Sequence, residues 1–283
     1  MNQYGYSPSK FRKLVQFIAQ KISHTLRLDK PSTLTAEILQ ISLPYYKVQL
    51  PNRKPLKFLV NHGRLLWRAK TLLTEEPLII EWLKNFDSSS LYLDIGSNVG
   101  NYVLLAKAYN PKLIVYAAEL DFNNLYLMYH NLVINNLQDK VLILPFALID
   151  STRTCTINYR DLSQGDALQS VDRLSPFDTS SSKFAHSFSH LGASLDTIIH
   201  HYSLQQPSHI KIDVDGNELL LLEGAKNTLK NAKSIYFENS LNLDCNLFAD
   251  FLINEGFNIT RSETIYSKQD ASRVNCINQI FTR

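Results

Sequence analysis

Three cysteines in 283 residues, Cys155, Cys245 and Cys276, are too few and too scattered for a disulfide framework, and no pair has the short spacing of a zinc site. They read as ordinary reduced thiols. Long apolar runs are missing too: Leu78-Ile79-Ile80 and Leu219-Leu220-Leu221-Leu222 are far shorter than the roughly 20 residues that cross a bilayer. No spanning helix is expected. The opening residues, Met1-Asn2-Gln3-Tyr4-Gly5-Tyr6, lack the basic start, apolar run and cleavage site of a secretory signal, so a cytoplasmic location is expected. Repeats and low-complexity arrays are absent, although Ser180-Ser181-Ser182 marks a loop. A formal charge of +3 is too small to imply nucleic acid as a partner.

That charge is unevenly spread, with 14 Lys+Arg against 6 Asp+Glu in residues 1–90 and 15 against 20 in the remainder. The spacing predicts a helix over residues 9–28 with Phe11, Leu14, Val15, Ile18, Ile22 and Leu26 on one face and Arg12, Lys13, Lys21 and Arg27 elsewhere. Two readings fit such a basic amphipathic helix: a peripheral membrane or partner contact, or a helix packed on the main domain with a solvated basic face. Pro44, Pro51 and Pro55 then break the chain, so residues 31–57 read as a connector or a few short strands. The organisation expected is a basic, mainly helical extension over residues 1–73 and a larger domain over residues 74–283.

From residue 74 the pattern is regular. Helices are expected at residues 75–85, 99–109, 122–135, 195–201, 217–229 and 247–254. Strands are expected at residues 91–95, 112–118, 141–144, 209–214 and 234–237, and near 257–260 and 275–281. Alternating strands and helices imply an α/β fold with a largely parallel sheet covered on both faces. Ligands of such sheets bind at the carboxyl ends of the strands, near the switch in strand order.

The first of these strands ends in Asp94, and Gly96 and Gly100 bracket the turn into the next helix, where a backbone without Cβ can approach a ligand closely. A nucleotide-like ligand is implied. Asn98 stands where the dinucleotide fingerprint has its second glycine, which disfavours NAD. Glu119, ending the second strand 25 residues beyond Asp94, can accept hydrogen bonds from a ribose diol. The bland alternatives are a plain turn into a helix and a solvated loop acid.

Taken in order, Asp94-Ile95-Gly96-Ser97-Asn98-Val99-Gly100, Ser194-Leu195-Asp196 and Lys211-Ile212-Asp213-Val214-Asp215-Gly216-Asn217-Glu218 resemble the FkbM-type methyltransferase family. Asn131 to Asn135, Phe146-Ala147-Leu148 and Tyr236-Phe237-Glu238 extend the resemblance over about residues 73–257. Asp215 stands where many relatives have Glu, and Ser97 where Ala is frequent. The resemblance implies a class I, Rossmann-like, three-layer α/β/α sandwich with a seven-stranded, mostly parallel sheet, binding S-adenosylmethionine (SAM) and usually methylating an oxygen of a sugar or other small natural product. It further implies that Asp94, Gly96, Ser97, Asn98 and Gly100 line the cofactor, that Glu119 holds its ribose, and that Ala147 encloses the adenine.

A hydroxyl acceptor must lose its proton to a base or to a metal that lowers its pKa. Asp213 is the first candidate and Asp215 the second, with Lys211 offsetting the crowded acids. A divalent cation such as Mg2+ held by Asp213, Glu238 and Asn239 is a further reading; against it, Asp215 and Glu218 simply favour a helix N-terminus. Residues 150–192 form an insert too long for an ordinary α/β connection, which suits a substrate loop. Within it His186 is an alternative acid/base, and His186 and His190, four apart, fit one helix face but lack an acid at zinc spacing. Tyr126, Tyr129 and Tyr159 either stack on a sugar or belong to the core. The rival functions are an NAD(P)-dependent enzyme and a catalytically idle SAM-binding scaffold.

Overall fold

A computed structural model describes residues 17–18, 21–22, 25, 44–167, 169–172, 185–214, 217–240, 245–266 and 274–283. The expected helix over residues 9–28 lies mostly outside them, as do Asp215 and the serine run.

The chain first makes a hairpin of β1 (Tyr45–Val48) and β2 (Leu56–Leu59), then α1 (Gly63–Thr71) and α2 (Pro77–Lys84). There follow β3 (Leu91–Ile95), α3 (Asn101–Tyr109), β4 (Ile114–Ala118), α4 (Phe122–Ile134) and β5 (Val141–Leu144). The expected insert comes next, but as a sheet rather than a loop: β6 (Ala147–Leu148), β7 (Arg153–Tyr159), β8 (Ser170–Val171) and β9 (His186–Ala193) pair in the order β6-β9-β7-β8. The correction follows from alternation in Arg153–Tyr159, where Cys155, Ile157 and Tyr159 are buried on one face. The last third holds α5 (Leu195–His201), β10 (His209–Ile212), α6 (Glu218–Glu223), α7 (Lys226–Leu229), β11 (Ser234–Ser240), α8 (Cys245–Asn254), β12 (Asn258–Tyr266) and β13 (Val274–Thr282). The single helix expected at 217–229 is two, divided at Gly224-Ala225, where a Cβ on Gly224 would lie 2.0 Å from the Ile149 carbonyl oxygen.

The seven-stranded sheet runs β12-β13-β11-β10-β3-β4-β5. It is parallel except for β13, which pairs antiparallel with both β11 and β12. Strand order reverses between β3 and β10, so the crevice beyond their carboxyl ends is where a ligand is to be sought. Side chains alternate across the sheet. Leu91, Leu93, Ile95, Ile210, Ile212, Ile235 and Phe237 pack into one apolar cluster with residues of α5 to α8. Tyr92 and Tyr236 pack on the opposite face with residues of α2, α3 and α4. Val48, Phe58 and Ala69 join this second cluster, so the hairpin and α1 share the core of the larger domain. Among the described residues, no helix is long and apolar enough to cross a membrane.

Candidate active site

Strand register assembles the centre of the site. Asp94 on β3 pairs with Lys211 on β10, and Lys211 with Tyr236 on β11, which sets three polar side chains in a row on one face. Lys211 Nζ donates to Asp213 Oδ2 at 2.7 Å and lies 3.7 Å from Asp94 Oδ1, with the Tyr102 ring centroid 5.6 Å away. The Tyr236 hydroxyl donates to Glu76 Oε2 at 3.0 Å. One buried ammonium therefore faces several acids. Burial opposes its charge, but Asp213, then Asp94 and Glu76, outweigh that and hold its pKa above the usual lysine value.

Asp94 is wholly buried; its oxygens accept no well-aligned hydrogen bond, and Tyr92 and Lys211 are its polar neighbours. Burial raises its pKa to about 6, against the pull of Lys211. Glu76 is likewise raised by burial, again against Lys211. Asp213 is less enclosed, with 26% of its side-chain surface open.

The loop after β3 is shaped by three left-handed residues, Gly96, Asn98 and Gly100, at φ +77°, +49° and +85°. A Cβ on Gly96 would sit 1.8 Å from the Asp213 carbonyl oxygen, so the absent side chain lets the loop press on the end of β10. The loop's amides are consumed internally. Gly96 and Ser97 N–H donate to the Ala118 carbonyl at 3.0 Å, Asn98 N–H to Glu119 Oε2 at 2.7 Å, and Gly100 N–H to the Ser97 carbonyl at 2.8 Å. Val99 N–H donates to Asn98 Oδ1 at 3.0 Å, and the Ser97 hydroxyl to the Ala118 carbonyl at 3.1 Å. Glu119 also accepts from Asp121 N–H at 2.8 Å; burial nevertheless raises its pKa to about 7. Ala147 is buried on β6, opposite Gly192.

A strap from the insert ties this loop to the N-terminal elements. Asn98 Nδ2 donates to the Asp166 carbonyl at 2.7 Å, and Asn124 on α4 both donates to that carbonyl and accepts from Gly165 N–H. From α1, Arg64 bridges the Asp166 carboxylate at 2.6 Å and Arg68 donates to the Gly165 carbonyl at 3.2 Å. The Arg64–Asp166 pair is mostly shielded, with 16% and 10% of the side-chain surfaces open, so it is worth more than a surface ion pair. Arg64→Ala is expected to cost about 2 kcal/mol in urea unfolding. It should also speed amide exchange across residues 164–167. Unchanged exchange there would show that the strap is held by other contacts.

Of the sequence-derived acids, Asp94 and Asp213 meet at Lys211, and Glu119 closes on the loop from the next strand. His186 is not brought to them: it lies exposed on β9, opposite Tyr159, and no hydrogen bond among the described residues joins it to Asp213. His190 shares that strand rather than a helix and stacks on Phe122 at 5.7 Å. Tyr159 is core, whereas Tyr126 and Tyr129 are exposed. The expected cation set also changes. Strand β11 runs past Glu238 and Asn239 to Ser240, so both are interior strand residues paired with β13, and Lys211 already occupies one oxygen of Asp213. Among the described residues no group of three His, Cys, Asp or Glu converges on a metal position. Sequence reasoning missed Glu76, which reads locally as an ordinary acid before the first-turn Pro77; its contact with Tyr236 spans 160 residues. It also missed Arg64 and Asp166, which no local pattern connects.

A sequence model of the methyltransferase FkbM domain matches residues 94–257. No curated protein gives a significant match. Among solved structures, the methyltransferase FkbM of Methylobacillus flagellatus KT is 15% identical with a TM-score of 0.47, over 74% of this chain and 47% of that one. The chain thus spans about half the length of that protein. An O-methyltransferase from Bacillus cereus, in complex with S-adenosylhomocysteine (SAH), is 13% identical with a TM-score of 0.46, over 78% of this chain and 89% of that one. Precorrin-6y C5,15-methyltransferase from Geobacter metallireducens GS-15 is 13% identical with a TM-score of 0.45, over 76% and 91%. Because the FkbM match starts at Asp94 and takes in the glycine loop, Glu119 and the Lys211–Asp213 pair, over more than half of its residues the chain belongs to the FkbM methyltransferase domain family.

Proposed function

We propose that the chain transfers a methyl group from SAM to a hydroxyl oxygen of a sugar, glycan or other small natural product. The Asp94 carboxylate carries the cofactor reading: it is fully buried at the switch point and shares the single ammonium of Lys211, 3.7 Å away, with Asp213. A buried carboxylate in that state favours a cationic ligand. SAM carries an ammonium and a sulfonium, so the residues present fit it. Glu119, just after β4 and against the same loop, suits a ribose diol, and Ala147 would bound the adenine. A pyrophosphate is poorly served, because every amide from Gly96 to Gly100 already has an acceptor and Asp94 would repel it. That argues against the NAD(P) alternative.

Bound SAM supplies a methyl carbon made electrophilic by the sulfonium. The chain's part is to align the acceptor oxygen, exclude water and take the hydroxyl proton as the O–C bond forms and the C–S bond breaks. Asp213 is our choice of base, supported by its position just after β10 against the glycine loop, its partial opening to solvent and the Lys211 contact at Oδ2.

The test is transfer of labelled methyl from SAM to a panel of hydroxylated acceptors, with cofactor affinity measured by calorimetry. SAM is expected to bind and NAD not to. The Kd for SAM should weaken roughly tenfold from pH 7 to pH 5, as protonation of Asp94 removes the partner of the cation. Binding of NAD without SAM overturns the cofactor assignment. SAM binding with no transfer to any acceptor leaves the scaffold reading in its place.

A further inference from the structure

We infer, resting on the cofactor reading above, that the charge of Glu76 makes the site prefer SAM over its spent product SAH. An acid just before a helix ordinarily turns its carboxylate back to the first-turn amides. Glu76 does not. It is the N-cap residue of α2 but makes no side-chain cap hydrogen bond, and Leu78 N–H donates instead to Glu263 Oε2 of β12 at 3.2 Å. The Glu76 carboxylate reaches over the main sheet. There the Tyr236 hydroxyl of β11 donates to Oε2 at 3.0 Å, and the Tyr102 hydroxyl of α3 bonds to the same carboxylate.

Both tyrosines stand at the centre of the site. Tyr236 lies beside Lys211 in the register of β11 on β10, and the Tyr102 ring centroid is 5.6 Å from Lys211 Nζ. Held by two hydroxyls from different elements, Glu76 joins Asp94 and Asp213 about the single ammonium of Lys211, which all three attract. Glu238, which acts on both tyrosines, adds to the same sign. One ammonium offsets only one carboxylate. Asp94 and Lys211 are fully buried, so little water is at hand to screen the remainder.

The two ligands differ in the quantity that such a surplus reads. SAM carries an ammonium, a sulfonium and a carboxylate and is a cation overall. SAH keeps the ammonium and the carboxylate, but its sulfur is a neutral thioether. Adenine, ribose and methionine backbone are common to both, so contacts from the glycine loop and Glu119 do not separate them. A surplus of carboxylates does. Asp94 and Asp213 lie within the matched family region and already have roles in the proposed reaction, whereas Glu76 lies before it. When the methyl leaves, the positive charge of the sulfur is lost with it, and the acids that drew SAM in no longer hold the product.

The experiment is calorimetry of the full chain with SAM and, separately, with SAH. Burial raises the Glu76 carboxyl against the pull of Lys211, so the titrations belong at pH 8. The wild type should bind SAM on the order of tenfold more tightly than SAH, the size of one unit charge acting across a site of intermediate dielectric. Glu76→Gln keeps the shape and an acceptor oxygen for Tyr236 but drops the charge. It should weaken SAM about tenfold and leave SAH within about twofold, bringing the ratio toward one. Glu76→Asp keeps the charge and should keep most of the preference.

A purely structural role would move both ligands together, because both need the same pocket. Equal weakening of SAM and SAH in Glu76→Gln therefore overturns the inference, as does a ratio that the substitution leaves unmoved. A preference lost as fully in Glu76→Asp as in Glu76→Gln would make shape, not charge, the contribution of Glu76, and overturns it too. Failure of the wild type to bind SAM overturns the cofactor reading and this inference with it; SAM binding with an unmoved ratio overturns the inference alone.

Discussion

Asp213→Asn is expected to lower kcat by roughly a hundred- to ten-thousand-fold, the range in which a positioned general base contributes. SAM affinity should change far less, because Asp94, not Asp213, is the fully buried carboxylate proposed to face the cofactor's cation. The substitution keeps the shape and a polar oxygen for Lys211, whose Nζ sits 2.7 Å from Asp213 Oδ2. A collapse of the fold is therefore not expected. Single-turnover transfer from labelled SAM, with calorimetry on the same preparation, separates the effects. Loss of binding together with turnover would make Asp213 a cofactor contact; full turnover would remove it from the chemistry.

Lys211→Met is expected to cost roughly 3–5 kcal/mol of stability at pH 8, the range for removing one partner of a buried charge set. Methionine fills much of the volume, so the loss reports charge rather than a cavity. Its pH dependence has a definite sign. The pKa of Asp94 in the folded chain, about 6, already lies above its unfolded value, and removing Lys211 pushes it higher. A carboxyl raised in this way favours the folded chain while protonated, so stability is retained below about pH 4 and lost as pH rises through the folded pKa. The deficit of the variant should therefore be smaller at pH 5 than at pH 8. Glu119, raised to about 7, adds a loss of the same sign in both proteins and cancels from the comparison. Urea unfolding at the two pH values is the measurement. A deficit under about 1 kcal/mol, or one independent of pH, would mean that water already screens these acids.

What the sequence made legible was what sits close together along the chain. Short apolar runs marked β3, β4, β5 and β10 to within about two residues, because the sheet is packed on both faces and buries consecutive side chains of its inner strands. The glycine loop was legible for the same local reason: Gly96 and Gly100 are needed where φ is positive. The insert was misread because its strands bury a single face against a small satellite core of Ala147, Ile149, Cys155, Ile157, Tyr159 and Val171, and its serine-rich composition resembles a loop. Glu76 was invisible because it acts through Tyr236, a partner brought near only by the finished sheet. Arg64 lies before the region matched by the family and grips Asp166 in the insert, so neither residue signals the other. Glu238 and Asn239 were placed at a strand end because the apolar pattern stops at Phe237, whereas pairing with β13 carries the strand three residues farther.

The antiparallel strand β13 lies inside the sheet, between β11 and β12, although it is the last to be made. During synthesis β11 must stand as a bare hydrogen-bonding edge from the time Ser240 is added until Thr282 arrives. At about 5–20 residues per second that interval lasts roughly 2–8 s. Throughout it Ile235 and Phe237, buried in the finished core, belong to a strand still open on one side. Such an edge is a template for pairing with a neighbouring nascent chain. The ribosome-bound intermediate, rather than the folded chain, is therefore where aggregation threatens this protein, and where a holding chaperone has its longest opportunity to act.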